Sequence, residues 1–188
     1  MTNFDSYKGE DVGWRMQNSM VDKYLHVRHS EFLTEDECQH IAHILTRDES
    51  KILKISNEDP TGYEGLTAQH NVYNLLSHPD IRPLNIPQRL FDLPLFKDFD
   101  HIAIQAWGNI LRQGKGLETH IHGTLHEVDW AQNFYASNTF LTGGEPSYTH
   151  YENERVTNIA GELHIVGTHV EHGVRNNIYS QPRISMAM

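Results

Sequence analysis

The spacing of the apolar residues changes at about residue 100, from a helical period to strict alternation. The clearest pattern before that point lies in residues 32–47, where a stripe repeats every three or four positions at Cys38, Ile41, Ile44 and Leu45. Thr34 and Glu37 have the spacing of a capping box, in which each side chain satisfies the backbone N–H of the other at the start of a helix. The pattern therefore predicts a helix over residues 32–47.

Weaker signals accompany this helix. A first strand is expected near residues 23–27, a short strand at 52–55, a second helix at about 67–76, and a short helix within 88–96 that Pro94 interrupts. The sequence contains no repeat and no low-complexity linker that would mark a domain boundary. We expect a single domain, residues 1–188, in which residues 1–98 are helical and support the rest.

From residue 101 onward, apolar and polar side chains alternate, which is typical of strands with one buried face. The alternation predicts strands at residues 101–111, 117–122, 133–140, 162–166, 168–174 and 183–188. Short strands at this spacing are typical of a sandwich or a jelly roll. Because the helices come first and the strands last, the expected fold class is α+β, mainly β, with N-terminal helices bracing the sheet.

The composition narrows the possible functions. A hydrophobic content of 38% in 188 residues is that of a globular protein, and a net charge of −10 gives no positive evidence for a nucleic-acid partner. No stretch approaches the roughly 18 apolar residues of a membrane helix. The single cysteine, Cys38, excludes an intramolecular disulfide and suits a reducing cytoplasm.

Histidine is the unusual residue type, with 14 in the chain. Side chains two positions apart on a strand point to the same side, so His120 and His122 face one space. His172 shares a face with apolar residues of its own predicted strand and is expected to point inward. On the last predicted strand, Arg183 and Ser185 lie on the face opposite the large apolar side chains. Three imidazoles and a nearby fixed cation predict a metal site beside an anion site.

The same region resembles known protein families. The spacing of Gly114, five residues, the His-x-His pair, four residues and Glu127 resembles the first cupin motif. Residues 161–176, which include His172, resemble the second cupin motif, with Gly167 in place of its proline. Both motifs belong to a double-stranded β-helix that holds a metal.

Residues 100–188 more fully resemble the 2-oxoglutarate- and Fe(II)-dependent oxygenases, and most of all the small bacterial and phage subgroup with His-x-His in place of His-x-Asp. The resemblance rests on Trp107-x-Asn109, Gly114, His120-x-His122, residues 161–168, His172-x-Val174, Asn177 and Arg183-Ile184-Ser185. The helix that begins near Phe32 also resembles one that often precedes the barrel of this family. The resemblance implies a double-stranded β-helix, or jelly roll, over residues 99–188, supported by the N-terminal helices.

The resemblance implies that the metal is Fe(II) and that its ligands are His120, His122 and His172. An imidazole at position 122 departs from the usual set of two histidines and one carboxylate. The third ligand could instead be a carboxylate on the same strand or in the following loop: Glu118, Glu127 or Asp129.

The resemblance also implies that 2-oxoglutarate is the co-substrate. Arg183 and Ser185 would hold its far carboxylate, with Asn109 and Tyr135 as polar wall residues. A planar guanidinium that stays charged suits a carboxylate. The expected function is O₂-dependent hydroxylation of a substrate that the sequence does not identify. Two alternatives stay open: a cupin-type metalloenzyme that does not use 2-oxoglutarate, and a non-catalytic β-helix binding module.

Overall fold

The computed structural model of the protein describes residues 26–55, 74–122, 134–143, 147–152 and 154–188. Its helices there are α1 (Glu35–Ile55) and α2 (Ile86–Phe91), with short 3₁₀ helices at Leu75–Ser77, Arg82–Leu84 and Pro94–Phe96. The strands are β1 (His26–His29), β2 (Trp107–Leu111), β3 (Leu117–His120), β4 (Tyr135–Phe140), β5 (Tyr148–Tyr151), β6 (Glu154–Thr157), β7 (Leu163–Gly167), β8 (His172–Val174) and β9 (Arg183–Ala187). The fold is mainly β, as predicted.

The strands form two antiparallel sheets. The larger sheet has the order β1-β7-β4-β9-β2, and the smaller has the order β3-β8-β5-β6. Strand β7 is buried along its whole length because both of its faces are covered. Leu163 and Ile165 belong to the main core with α1, whereas His164 and Val166 line a cavity between the two sheets. The larger sheet therefore separates the main core from this cavity.

Helix α1 begins as the sequence predicted. The Glu37 backbone N–H donates to Thr34 Oγ1 (3.2 Å), and the Thr34 N–H donates to Glu37 Oε2 (2.8 Å), which confirms the capping box. The helix continues to Ile55, so the strand predicted at residues 52–55 is wrong. Ile52 is the reason, because it follows Leu45 by two helical turns and extends the same buried stripe.

Helix α1 packs tightly against β2 at Gly108. A Cβ atom at this position would lie 2.3 Å from Leu45 Cδ2, well inside van der Waals contact. The glycine therefore sets how closely α1 approaches the larger sheet.

The strand predicted at residues 101–111 is correct only from Trp107 onward. The alternation of residues 101–106 is real, but this segment pairs with the side chain of Asn74 rather than with a strand. Asn74 Nδ2 donates to the Ile104 carbonyl (2.9 Å), and the Ala106 N–H donates to Asn74 Oδ1 (3.3 Å). An alternating pattern reports one buried face, and the pairing partner decides whether a strand forms.

Four other predicted strands are present, with shifts of up to two residues at their ends. The strands predicted at residues 117–122, 133–140, 162–166 and 183–188 are β3, β4, β7 and β9. In the strand predicted at 168–174 only His172–Val174 is extended, because the Val170 N–H closes a turn onto the Gly167 carbonyl (3.0 Å). Strands β5 and β6 were not predicted.

Among the described residues, no helix combines the length and apolar character needed to cross a bilayer.

The predictions for the N-terminal half have mixed outcomes. The expected first strand overlaps β1 from residue 26 onward, and its earlier residues lie outside the described part of the chain. The helix predicted at 67–76 also falls mostly outside it, and its end is the 3₁₀ helix Leu75–Ser77. The short helix predicted within 88–96 is α2, which ends at Phe91, and Pro94 opens a separate 3₁₀ turn as expected.

Candidate metal centre and anion pocket

Three histidine side chains converge at one end of the smaller sheet. His120 on β3 lies directly opposite His172 on β8, and their ring centroids are 4.5 Å apart. His122 lies just beyond β3, where its backbone N–H donates to the Thr168 carbonyl (2.7 Å). One nitrogen from each of the three rings lies within 4.8 Å of the others.

Backbone carbonyls orient two of these rings. The Nδ1 atom of His120 lies 2.8 Å from the Glu118 carbonyl, and the Nδ1 atom of His172 lies 2.9 Å from the Val170 carbonyl. A carbonyl accepts only from an N–H, so Nδ1 carries the proton and Nε2 keeps its lone pair. Burial lowers the pKa of His172 to about 4, and the neighbouring His120 adds to this effect. His172 is therefore neutral at physiological pH, as a metal ligand must be.

The spacing of the rings fits a metal ion. His122 Nε2 and His172 Nε2 are 3.1 Å apart. Two nitrogens that each lie about 2.1 Å from one ion, at right angles, are about 3.0 Å apart. Of the alternative carboxylate ligands, Glu118 is exposed and is not part of the group of converging side chains. Glu127 and Asp129 lie outside the described residues.

The three histidines line a cavity of about 230 Å³ between the sheets, and Arg183 lies on its wall. Arg183 is only 6% exposed, and its Nη2 donates to Thr149 Oγ1 (2.9 Å). Its buried Nε has no hydrogen-bond partner, and within the described ranges the guanidinium forms no ion pair. Burial lowers the pKa of Arg183 to about 10. A buried cation without a counter-charge among the described residues fits an anionic ligand.

Asn109 and Ser185 line the same cavity as Arg183. They are directly opposite each other on β2 and β9, and Asn109 Nδ2 lies 3.4 Å from Ser185 Oγ. Tyr135 is placed differently. Its ring packs edge-on against Phe96 (5.7 Å) and lines a second cleft instead of this cavity. Burial raises the pKa of Tyr135 to about 12.

A chain of polar side chains that the sequence did not reveal braces Arg183. The Thr149 hydroxyl donates to Asn158 Oδ1 (2.8 Å), and Asn158 Nδ2 donates to Ser147 Oγ (2.8 Å). Since the Thr149 proton is used on Asn158, its lone pair is left to accept from Arg183. Asn158 is fully buried, so this orientation is fixed by packing as well as by hydrogen bonds.

A second group of buried side chains lies on another wall of the same cavity, which Tyr151 and His164 line. Tyr151, opposite His172 on β5, stacks on the ring of His164 at 5.7 Å. His164 Nδ1 lies 2.9 Å from His26 Nε2, and His164 Nε2 lies 3.2 Å from Glu162 Oε2. Burial lowers the pKa of both histidines, that of His26 to about 3. Residues 148–151 do not alternate apolar and polar side chains in sequence, so the pattern gave no signal for Thr149 or Tyr151.

Solved structures with the same arrangement of helices and strands include a prolyl-4-hydroxylase from Pseudomonas putida, at a TM-score of 0.55 and 15% identity over 94% of this chain and 96% of that chain. HygX from Streptomyces hygroscopicus, with nickel and 2-oxoglutarate bound, matches at a TM-score of 0.60 and 11% identity, covering 92% of this chain and 84% of HygX. The viral collagen prolyl hydroxylase vCPH from Paramecium Bursaria Chlorella virus-1, in its 2OG complex, matches at a TM-score of 0.54 and 14% identity. The match covers 90% of this chain and 97% of vCPH. The chain shares the fold of these proteins.

At the level of sequence, no protein-family model matches the chain, and no curated protein matches it either. Identities of 11 to 15% establish the fold and leave the activity to be inferred from the site.

Proposed function

We propose that this protein is a 2-oxoglutarate- and Fe(II)-dependent oxygenase, most simply a hydroxylase. The observation that carries the proposal is that three convergent imidazoles and a buried guanidinium, Arg183, which forms no ion pair with the described residues, lie on the walls of a single cavity. A metal ion fits the three imidazoles, and a carboxylate fits the buried guanidinium. A dicarboxylate that binds the metal at one end and the guanidinium at the other fits both. The 2-oxoglutarate bound to HygX and vCPH, which have the same fold, supports this choice.

In this proposal the three histidines, His120, His122 and His172, hold Fe(II) through neutral imidazole nitrogens. Three protein ligands leave coordination positions open for 2-oxoglutarate and O₂. When bound, the metal and co-substrate supply the oxidation: one oxygen atom of O₂ enters succinate as CO₂ is released, and the other enters a C–H bond of the substrate. The Nδ1 contacts of His120 and His172 fix the direction from which those rings approach the metal.

Arg183 receives the far carboxylate of 2-oxoglutarate, and Ser185 and Asn109 supply polar contacts beside it. The hydrogen bond to Thr149 holds the guanidinium before the ligand arrives, so little ordering is left for the binding step. Tyr135, the other predicted wall residue, stays a prediction, because its ring faces the second cleft.

The finer description of the fold is part of the same proposal. We assign strands β2 to β9 to a double-stranded β-helix, or jelly roll, over residues 99–188, in a single domain whose residues 1–98 support it and add β1 to the larger sheet. We also assign the protein to the cytoplasm, because its one cysteine, Cys38, is a buried free thiol.

The test is an anaerobic titration of Fe(II)-loaded protein with 2-oxoglutarate, with metal analysis of the same sample. We expect one metal ion per chain and a visible charge-transfer band from the chelated co-substrate. Arg183→Ala should need far more 2-oxoglutarate to reach the same band. Arg82→Ala, which removes an exposed arginine outside the cavity, is the matched control. Conversion of 2-oxoglutarate to succinate in air completes the test.

A cupin-type metalloenzyme that does not use 2-oxoglutarate is the second candidate, and the all-histidine ligand set favours it. Stoichiometric metal without the charge-transfer band would select that candidate. Protein that binds no metal at all would refute both enzymes and leave a β-helix that serves only to bind a ligand.

A further inference from the structure

A second, larger cleft of about 690 Å³ opens beside the candidate metal site. Trp107 and His122 line both the cleft and the cavity between the sheets, and their ring centroids are 6.2 Å apart. A molecule in this cleft therefore lies against the His122 side of the three histidines. The cavity with Arg183 fits the co-substrate, so the cleft is the place for a second, larger molecule.

Much of the cleft surface is aromatic. The Phe96 ring packs edge-on against Phe99 (6.1 Å) and against Tyr135 (5.7 Å), and Trp107 lies at the junction with the cavity. Phe134 is 51% exposed at the same cleft. Aromatic faces bind apolar bodies, and they also attract cations through their quadrupoles.

The fixed charges of the cleft have one sign. Among the described residues that line it, Asp98 and Asp100 are the only aspartate, glutamate, lysine or arginine side chains. Both are exposed, and neither forms an ion pair with another part of the chain that the structure describes. Lys97, although adjacent in sequence, does not line the cleft. Two uncompensated carboxylates on an aromatic surface favour a cation over a neutral or anionic molecule.

We propose that this cleft binds the substrate to be oxidised, and that the substrate carries an ammonium or guanidinium group on an apolar body. The apolar body packs on the aromatic wall, and the cationic group faces Asp98 and Asp100. The aromatic wall includes Trp107, next to His122, so an apolar body packed there brings its C–H bonds close to the three histidines. That the bound molecule is oxidised rests on the proposed oxygenase function. That the cleft prefers a cation rests on the cleft alone.

The test compares three probes with the same phenyl body and different charge: phenethylamine, 2-phenylethanol and 3-phenylpropanoate. Their dissociation constants are measured by ligand-observed NMR on protein loaded with Ni(II) and 2-oxoglutarate, so that no turnover is needed. At low salt, two carboxylates at an exposed site should make the amine bind about 10-fold tighter than the alcohol, with the carboxylate weakest. This preference should shrink at high salt, because exposed charges are screened.

Substitutions of Asp98 and Asp100 test whether these two carboxylates cause the preference for the amine. The double variant D98N/D100N should reduce the preference for the amine to about 2-fold without weakening the alcohol. D98K/D100K should reverse the preference in favour of the carboxylate. Asp36→Asn, at an exposed position in the first turn of α1, removes one carboxylate away from the cleft and should leave the preference for the amine unchanged. Thermal unfolding of each variant checks that it is folded.

Equal binding of the amine and the alcohol would overturn the proposal, as would a preference that survives in D98K/D100K or a failure of all three probes to bind in the millimolar range. The oxygenase function and the cation-selective cleft can be refuted independently of each other. A protein with a cation-selective cleft but no charge-transfer band would refute the oxygenase and keep the cleft. A protein with the charge-transfer band but no preference for the amine would support the oxygenase and refute the cation-selective cleft.

Discussion

Replacing Arg183 by methionine should make the ligand-free protein more stable while abolishing the binding of 2-oxoglutarate. Methionine has a similar length and no charge. Burial lowers the pKa of Arg183 to about 10, which corresponds to about 3 kcal/mol against the charged form in the folded protein. In the proposed function the charge serves to bind the co-substrate, and without a ligand it destabilises the folded protein.

Two favourable contacts are lost with the charge. The hydrogen bond to Thr149 is worth about 1 kcal/mol. The position of the guanidinium over the Phe140 ring, 5.7 Å from its centroid, is worth about 1 kcal/mol more. The expected net gain for Arg183→Met is about 1 kcal/mol, or about 2 to 4 °C in the melting temperature of a chain of this size.

The assay is urea and thermal unfolding of metal-free protein, repeated with metal and 2-oxoglutarate. Ligand at 100 times its dissociation constant should stabilise the native protein by about 2.7 kcal/mol and should not stabilise Arg183→Met, so the order of stability reverses. Arg183→Lys keeps a charge at the site and should show no gain without ligand. A metal-free Arg183→Met protein that is less stable than the native one by 2 kcal/mol or more would refute the reasoning.

Three further predictions concern other parts of the structure. Gly108→Ala forces the Leu45 side chain to move and should destabilise the fold by about 1 to 3 kcal/mol in urea; an unchanged midpoint would contradict the close approach of α1. Burial lowers the folded-state pKa of His26 from its usual 6.5 to about 3, so the contribution of His26 to stability should be constant above pH 6.5 and fall by about 1.4 kcal/mol per pH unit between pH 6.5 and 3; His26→Gln in metal-free protein should make the fall in stability shallower. His120→Ala should weaken Ni(II) binding in equilibrium dialysis more than about 100-fold, whereas His101→Ala, outside the group of three histidines, should leave it unchanged.

The parts of the fold that the sequence predicted well are those that depend on near neighbours. The start of α1 follows from Thr34 and Glu37, which lie three residues apart and cap each other. The approach of His120 to His122 follows from the two-residue period of a strand. The same period places Arg183 and Ser185 on the face of β9 opposite Ile184 and Met186, although it does not show that this face lines a cavity.

The parts that were missed depend on partners far away in the chain. Tyr151 reaches the cavity only because β5 pairs with β8, and no local pattern records that pairing. The extended residues 101–106 fail to form a strand because their neighbour is the Asn74 side chain. The brace on Arg183 depends on Asn158, which lies nine residues beyond Thr149 on the far side of the β5–β6 hairpin.

Strand β9 has a consequence for how the protein folds. It lies between β4 and β2 in the larger sheet, and its Ser185 meets Asn109 across a separation of 76 residues in sequence. Contacts this distant are slow to form, because the chain must lose most of its freedom before they contribute. Since β2 has no other strand partner in the described part of the sheet, its docking must wait for β9. Arg183 and Ser185 therefore reach their places in a late folding step, and partly folded chains should have little affinity for an anion.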